Sequence, residues 1–211
     1  MEEKKEEPGI FSDAKSFGLF VWDFLKVIII ALVIILPIRY FVFQPFIVSG
    51  NSMLPNFEDG QYLVIDEISY RLRQPERGEV VVLRYPDDPK QYFIKRIVGL
   101  PGEKVSIDNG RVTIYNTQHP DGMVLDESYL PTQGLTYPLN SDVIGGKKTL
   151  TLSSEQYFTL GDNRLQSSDS RYWGPLPKND LVGRVLIRAF PLNKFHKFSA
   201  PSYSYTAVET L

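Results

Sequence analysis

Ser52 lies in Ser49-Gly50-Asn51-Ser52-Met53-Leu54-Pro55, a few residues beyond a strongly apolar segment, and its hydroxyl is a candidate nucleophile working close to a membrane surface. A hydroxyl attacks poorly at neutral pH, so it needs a base to take its proton and a donor to stabilise the resulting oxyanion. The two histidines do not read as that base. His119 precedes Pro120 in a loop-rich stretch, and His196 sits in the basic Lys194-Phe195-His196-Lys197, both ordinary surface settings. Lys95 is the alternative, within Tyr92-Phe93-Ile94-Lys95-Arg96-Ile97-Val98. Strand alternation puts it on the same face as Phe93 and Ile97, which read as core positions.

Burial of a lysine among apolar neighbours disfavours its ammonium form. At the ordinary pKa of ~10.4, fewer than about one amine in a thousand is neutral at pH 7. Bringing it to the ~7–8 of a catalytic lysine costs about 3–5 kcal/mol, supplied by folding an apolar wall around the amine. A second arrangement fits the same window, with the stem lying on the sheet and the head in water. Arg96 alternates to the opposite face, where an acid would pair with it.

The chain that must position these groups has 211 residues, 43% hydrophobic and 13% aromatic, enough for one soluble domain with a sizeable core. Its formal net charge is -2 and its pI near 5.8. With no zinc-finger, RNA-recognition or helix-turn-helix signature, nucleic acid is not an expected partner. The absence of cysteine excludes disulfides, thiolate catalysis and Cys-ligated metals, and two histidines argue against a multi-histidine site. No metal or other cofactor is expected.

Residues 1–15 are polar and charged and read as a flexible tail. From 27 to 38 every residue is apolar, and the stretch widens to 22–43 if Lys26 and Arg39 snorkel, which reaches the ~20 residues a bilayer needs. Trp22, Tyr40 and Phe41 suit its interfacial ends. A buried soluble helix would pass the same length test, but Ile28-Ile29-Ile30 with Val33-Ile34-Ile35 is apolar all round, which favours lipid. The chain continues as Arg39-Tyr40-Phe41-Val42-Phe43-Gln44-Pro45, with no small-x-small cleavage site, so the segment is expected to stay as a signal anchor. Lys4, Lys5, Lys15 and Lys26 outnumber Arg39 across it. The positive-inside rule then puts residues 1–21 in the cytoplasm and the rest outside the membrane.

Beyond Pro55 short apolar runs at 62–65, 79–85, 92–98, 104–107, 111–115, 157–160 and 181–190 read as strands. Asp59-Gly60, Arg77-Gly78, Pro101-Gly102, Asn109-Gly110 and Gly145-Gly146 mark turns between them, with a hairpin across Asn109-Gly110. Strands without long helices between them predict a mainly β, antiparallel domain over 44–198. Residues 116–156 carry Pro120, Gly122, Pro131, Gly134 and Pro138 and read as a loop-rich insertion; 199–211 reads as a polar and aromatic tail.

Four boxes now stand in one order: Ser49 to Pro55, Arg77-Gly78-Glu79-Val80-Val81, Lys95-Arg96-Ile97-Val98-Gly99-Leu100-Pro101-Gly102, and Gly161-Asp162-Asn163-Arg164 running to Ser167-Ser168-Asp169-Ser170-Arg171-Tyr172-Trp173-Gly174. Together they resemble bacterial type I signal peptidases over most of 45–190. The resemblance implies an antiparallel β-sheet catalytic domain of signal-peptidase type behind a transmembrane helix. It also implies a Ser/Lys dyad that cuts signal peptides from exported preproteins at the outer face of the cytoplasmic membrane. By matching position Ser52 is the nucleophile, Lys95 the base and Ser167 the hydroxyl that orients the lysine amine. Asp169 and Arg171 match a pair that buttresses the site, and Asp162 would partner Arg96.

Two positions depart from the family pattern. Some relatives carry a serine oxyanion donor where this chain has Gly50, which leaves more of that role to the Ser52 backbone N–H, with a water and Asn51 as the other candidate donors; one lost donor is worth ~3 kcal/mol in rate. Asn56 stands where threonine is common. The family's preference for small residues before the cut implies shallow apolar pockets, with Val48, Met53, Phe57, Phe93 and Ile94 at the matching positions, Phe46 on the deeper side and the signal peptide extended along them. Two other readings share parts of this pattern: a self-cleaving Ser/Lys repressor protease, and a membrane-tethered β-domain that binds extended peptides without cutting them.

Overall fold

The computed structural model describes residues 10–37, 43–130, 136–137, 148–200, 203 and 205–207. The expectations for the first nine residues, for Arg39, Tyr40 and Phe41, for Pro131, Gly134, Pro138 and Gly145-Gly146, and for the last four residues lie outside these. The chain forms two compact units, Met1–Val42 and Phe43–Leu211.

In the first unit α1 runs over Ile10–Pro37, 28 residues or about 42 Å at 1.5 Å per residue. Its Phe17–Ile35 stretch has mean hydropathy 2.5, none of it buried, so it is long and apolar enough to cross a membrane. Its described span reaches further toward the N-terminus than the expected 22–43, and Phe43 belongs to a strand.

The second unit is two antiparallel sheets. The larger contains β1 (Phe43–Ile47), β2 (Tyr62–Asp66), β3 (Val80–Tyr85), β4 (Asp88–Gly99), β9 (Gln156–Leu160), β10 (Leu176–Pro177), β11 (Leu181–Phe190) and β12 (His196–Lys197). Its order is β1-β2-β11-β3-β4-β9-β10, with β12 beside β11. The smaller sheet has order β13-β7-β6-β5-β8, from β5 (Lys104–Asp108), β6 (Arg111–Tyr115), β7 (Met123–Leu125), β8 (Lys148–Thr151) and β13 (Tyr205–Ala207). Two single-turn helices, α2 (Ser69–Leu72) and α3 (Ser170–Trp173), lie between strands.

All seven strands expected from the sequence are present, within a few residues of their expected ends. The β5–β6 hairpin turns on Asn109 (φ 48) and Gly110 (φ 78), the paired positive φ that a two-residue turn matching strand twist requires. The 116–156 stretch does more than loop: its β7 and β8 flank the β5–β6 hairpin. The 199–211 stretch also joins the fold, through β13 pairing with β7 and Tyr203 packing on the core.

Alternation along β3 serves two cores at once. Val80 and Val82 pack with Val48, Met53, Phe57, Leu63 and Ile65, whereas Val81 and Leu83 pack with Ile97, Tyr157 and Leu176. A third core forms where Val98, Phe158 and Leu160 of the large sheet meet Val105, Ile107, Val112 and Ile114 of the small one. Gly99 closes that junction. A Cβ there would lie 2.6 Å from Val105 Cγ2 and 2.9 Å from both Leu152 Cδ1 and Phe158 Cβ. Gly99→Ala should therefore overpack the junction and destabilise the domain by about 1–3 kcal/mol in a denaturant melt, and a loss below ~0.5 kcal/mol would contradict this packing.

Candidate active site

Ser52 stands on the excursion between β1 and β2. The two strands pair as far as Ile47 and Tyr62, after which the chain leaves the sheet through a neck closed by Val48 N–H to Gln61 O and Gly60 N–H to Val48 O, both 2.9 Å. Within the loop Phe57 N–H donates to Met53 O at 2.9 Å. That turn sends both side chains into the core. Phe57 stacks on Phe198 at 4.7 Å between centroids, and Met53 Sδ accepts the Asp162 N–H at 3.4 Å. Gly50 has φ +87 and donates its N–H to Asp59 Oδ1 at 2.8 Å. This left-handed backbone suits glycine and strains any other residue.

Lys95 enters from β4, paired with Val81 of β3. Its Nζ lies 2.9 Å from Ser52 Oγ and donates to Ile94 O at 2.8 Å. The residue is only 3% exposed, and Nζ sits 5.1 Å from the centre of the Phe93 ring. Burial brings its pKa from 10.5 down to about 8, against the opposing pull of Asp169 and then Asp162. The solvated-head arrangement is thus not the one adopted. Phe93 and Ile97 do share a core, as alternation predicts.

Residues 161–171 form the third wall. Asn163 N–H donates to Ser52 O and its Nδ2 to Asn51 O, each at 3.0 Å, fastening this loop to the backbone around Ser52. A Cβ on Gly161 would fall 2.1 Å from Ser167 Oγ and 2.5 Å from Ser52 O, so only glycine lets the three meet. Ser167 is buried, but its Oγ has no hydrogen-bond partner among the described residues; the bond to Lys95 expected from the resemblance is not formed here. Lys95 Nζ is instead engaged by Ser52 and Ile94 O.

Buried ion pairs brace that loop. Arg96 meets Asp162 through Nε to Oδ1 at 2.8 Å and Nη2 to Oδ2 at 2.6 Å, while Asn56 Nδ2 donates to the same Oδ2 at 2.9 Å. Arg171 donates to Asp169 through Nε and Nη2, both at 2.8 Å, and Asp169 Oδ2 accepts the Gly161 N–H at 3.0 Å. Both acids are fully enclosed. Such two-pronged guanidinium–carboxylate contacts fix orientation as well as charge.

A cleft of ≈ 270 Å³ opens beside the dyad. Of the six expected lining residues, Phe46, Val48, Phe93 and Ile94 face it; Met53 and Phe57 lie behind Ser52 in the core, turned there by the backbone bond between them. Sequence reasoning missed Tyr92, whose ring tilts against Phe46 at 5.7 Å, and Gln166 and Ser168 on the rim. Alternation would have given Tyr92, two residues before Ile94 on one strand face. The loop residues carried no such periodic signal. His119 and His196 do not line the cleft, His196 being exposed with its ring 4.6 Å from Phe198. Among the described residues no group of three or more His, Cys, Asp or Glu side chains is placed to hold a metal ion.

A buried, partly deprotonated amine in contact with a hydroxyl, beside an apolar cleft, is equipped for acyl transfer. Comparison with known proteins agrees with that chemistry. The family described as "Signal peptidase, peptidase S26" matches residues 21–190. The chain is 33% identical over 203 residues to probable signal peptidase I-1 of Synechocystis sp., covering 90% of this chain and 94% of that one. To probable signal peptidase I-2 of the same organism it is 37% identical over 172 residues, 79% and 72% of the two chains. To signal peptidase I of Bacillus amyloliquefaciens it is 33% identical over 192 residues, 90% and 96% of the two chains. With the match running from within α1 through β11, the chain belongs to the signal peptidase family, peptidase S26.

Proposed function

We propose that Ser52 and Lys95 are the nucleophile and base with which this chain cleaves signal peptides from exported preproteins. Family membership makes it a serine endopeptidase of the signal peptidase I type. The observation that carries the residue assignment is the 2.9 Å contact between Ser52 Oγ and the buried Lys95 amine. A peptide-binding domain without catalysis would have no use for a desolvated lysine there.

In the proposed sequence the neutral Lys95 Nζ takes the Ser52 proton as Oγ attacks the scissile carbonyl. Among the described residues no acceptor meets the Ser52 backbone N–H, which leaves that donor for the tetrahedral oxyanion. Collapse expels the new amine, which leaves with the proton held on Lys95, and an ester remains on Ser52. A water deprotonated by the same amine then hydrolyses the ester. A neutral amine bonded to Ser52 and Ile94 O still has one N–H in hand, and the unpartnered Ser167 hydroxyl is the group we assign to receive it. Phe46, Val48, Phe93 and Ile94 would hold the small side chains of an extended signal-peptide end, while Arg96, Asp162, Asp169 and Arg171 keep the loop in place. The proposed topology puts α1 across the cytoplasmic membrane with the N-terminus inside, from the excess of lysines on that flank.

Three outcomes test this reading. Purified protein in detergent should cut a preprotein carrying an Ala-x-Ala signal, and Ser52→Ala and Lys95→Ala should each lower kcat/KM by at least ~1000-fold; either variant cutting at wild-type rate removes the dyad. Because the neutral amine is the active form, kcat/KM should climb tenfold per pH unit below about 8 and level off above it. A profile flat from pH 6 to 9 is incompatible with a lysine base. Protease added to intact spheroplasts should digest the β-domain, and its full protection would reverse the proposed orientation.

A further inference from the structure

We infer that Glu127, from the stretch that reads in sequence as an insertion, is a positioning residue for the catalytic serine, acting through Arg164 on Gly161. The inference rests on the Ser52/Lys95 reading and extends it to a residue far from the four sequence boxes. Arg164 is buried, and its donors are all engaged: Nε to Gly161 O at 3.0 Å, Nη1 to Glu127 Oε2 at 3.0 Å and to Thr136 Oγ1, Nη2 to Glu127 Oε1 and to Tyr129 Oη at 3.3 Å. Glu127 is itself buried and is the only carboxylate in ion-pair contact with that guanidinium among the described residues.

Besides the bonds of Asn163 to Ser52 and Asn51 and of Asp162 to Arg96 and Asn56, the loop from 161 to 171 also closes on itself. Gly161 N–H donates to Asp169, Arg171 Nη2 donates to Arg164 O at 2.6 Å, and Arg171 returns to Asp169. Those bonds fix the loop's shape. Its anchorage to the second sheet's side of the domain comes through Glu127, Tyr129 and Thr136, with Arg171 Nη1 to Tyr137 O at 3.3 Å beside them. Gly161 is where that anchorage reaches the chemistry, because its α-carbon packs between Ser167 Oγ and the Ser52 carbonyl with no room for a methyl group. An Arg164 that loses its carboxylate must turn toward another acceptor or water, since a buried unpaired guanidinium is strongly disfavoured. Nε then leaves Gly161 O, and the contact surface shared by Ser52 and Ser167 shifts with it. The cleft-lining residues of β1 and β4 are not part of this chain of bonds.

The test uses the full chain in detergent with the preprotein assay. Glu127→Gln should lower kcat by roughly 10–100-fold, the scale of a displacement near 1 Å at a reacting centre, and leave KM within ~3-fold. The double variant Glu127→Met with Arg164→Met replaces the buried pair by apolar side chains of similar length, which proteins commonly tolerate without loss of stability. It should melt within a few degrees of wild type and still show the lowered kcat. Recovery of kcat to within ~3-fold in the double variant would overturn the inference, because the pair would then matter only for folding. Loss of the folded domain in both variants would also overturn it, by making the pair a structural bond. Neither result touches the dyad, which stands or falls on Ser52→Ala and Lys95→Ala.

Discussion

The buried amine of Lys95 is the constraint around which the rest of the domain is arranged. Bringing a lysine from 10.5 to about 8 amounts to ~3 kcal/mol of preference for the neutral form. The sign of the linkage makes this a cost to the fold. Because the folded pKa lies below the unfolded one, the folded state holds fewer protons between about pH 8 and 10.5. The penalty is therefore present in full below about 8 and fades as the pH rises toward 10.5. A domain that tolerates that loss near neutral pH has to recover it in packing, and the paired strands β3 and β4 supply it by burying apolar side chains on both faces beside Lys95.

The second requirement is that two acids which would raise the amine's pKa must have stronger claims on them. Asp169 and Asp162 both pull Lys95 back toward its charged form. Each is held by a two-pronged arginine, and Asp162 takes Asn56 as well. The arginines therefore serve two ends with one geometry. They satisfy carboxylates that could not be buried alone, and they leave burial as the dominant influence on the lysine.

How much of this was legible depends on what each residue's neighbours in sequence can report. Lys95, Phe93 and Ile97 obey strand alternation, so their shared face could be read from one window of residues. The hairpin at Asn109-Gly110 was equally local, since its turn chemistry demands those residue types. Met53 and Phe57 sit in an irregular loop, where no period says which way a side chain turns, so their place in the core is set by the loop's own backbone, including the Phe57–Met53 bond. The strands β7, β8 and β13 escaped notice for another reason. Each is three or four residues long, and β8 and β13 pair only with strands distant in sequence, while β7 has β13 as its second partner. Glu127 shares that fate, since its partner Arg164 is 37 residues away.

In the proposed mechanism the oxyanion is met by backbone and not by a side chain. Gly50 carries no hydroxyl and its own N–H is committed to Asp59, which leaves the Ser52 N–H as the proposed donor. A single donor stabilises a developing charge well only if its direction is fixed before reaction, because a dipole that must reorient during the step gives back what it contributes. Here the direction is set from outside the nucleophile's loop. Asn163 holds the carbonyls of Asn51 and Ser52 on either side of that N–H, and Asn163 belongs to the same loop that Arg164 and Asp169 hold through Gly161. The loop that carries Ser167 thus also sets the peptide plane of the proposed oxyanion donor, and a disturbance reaching Gly161, which packs against both Ser167 Oγ and Ser52 O, would misalign both at once.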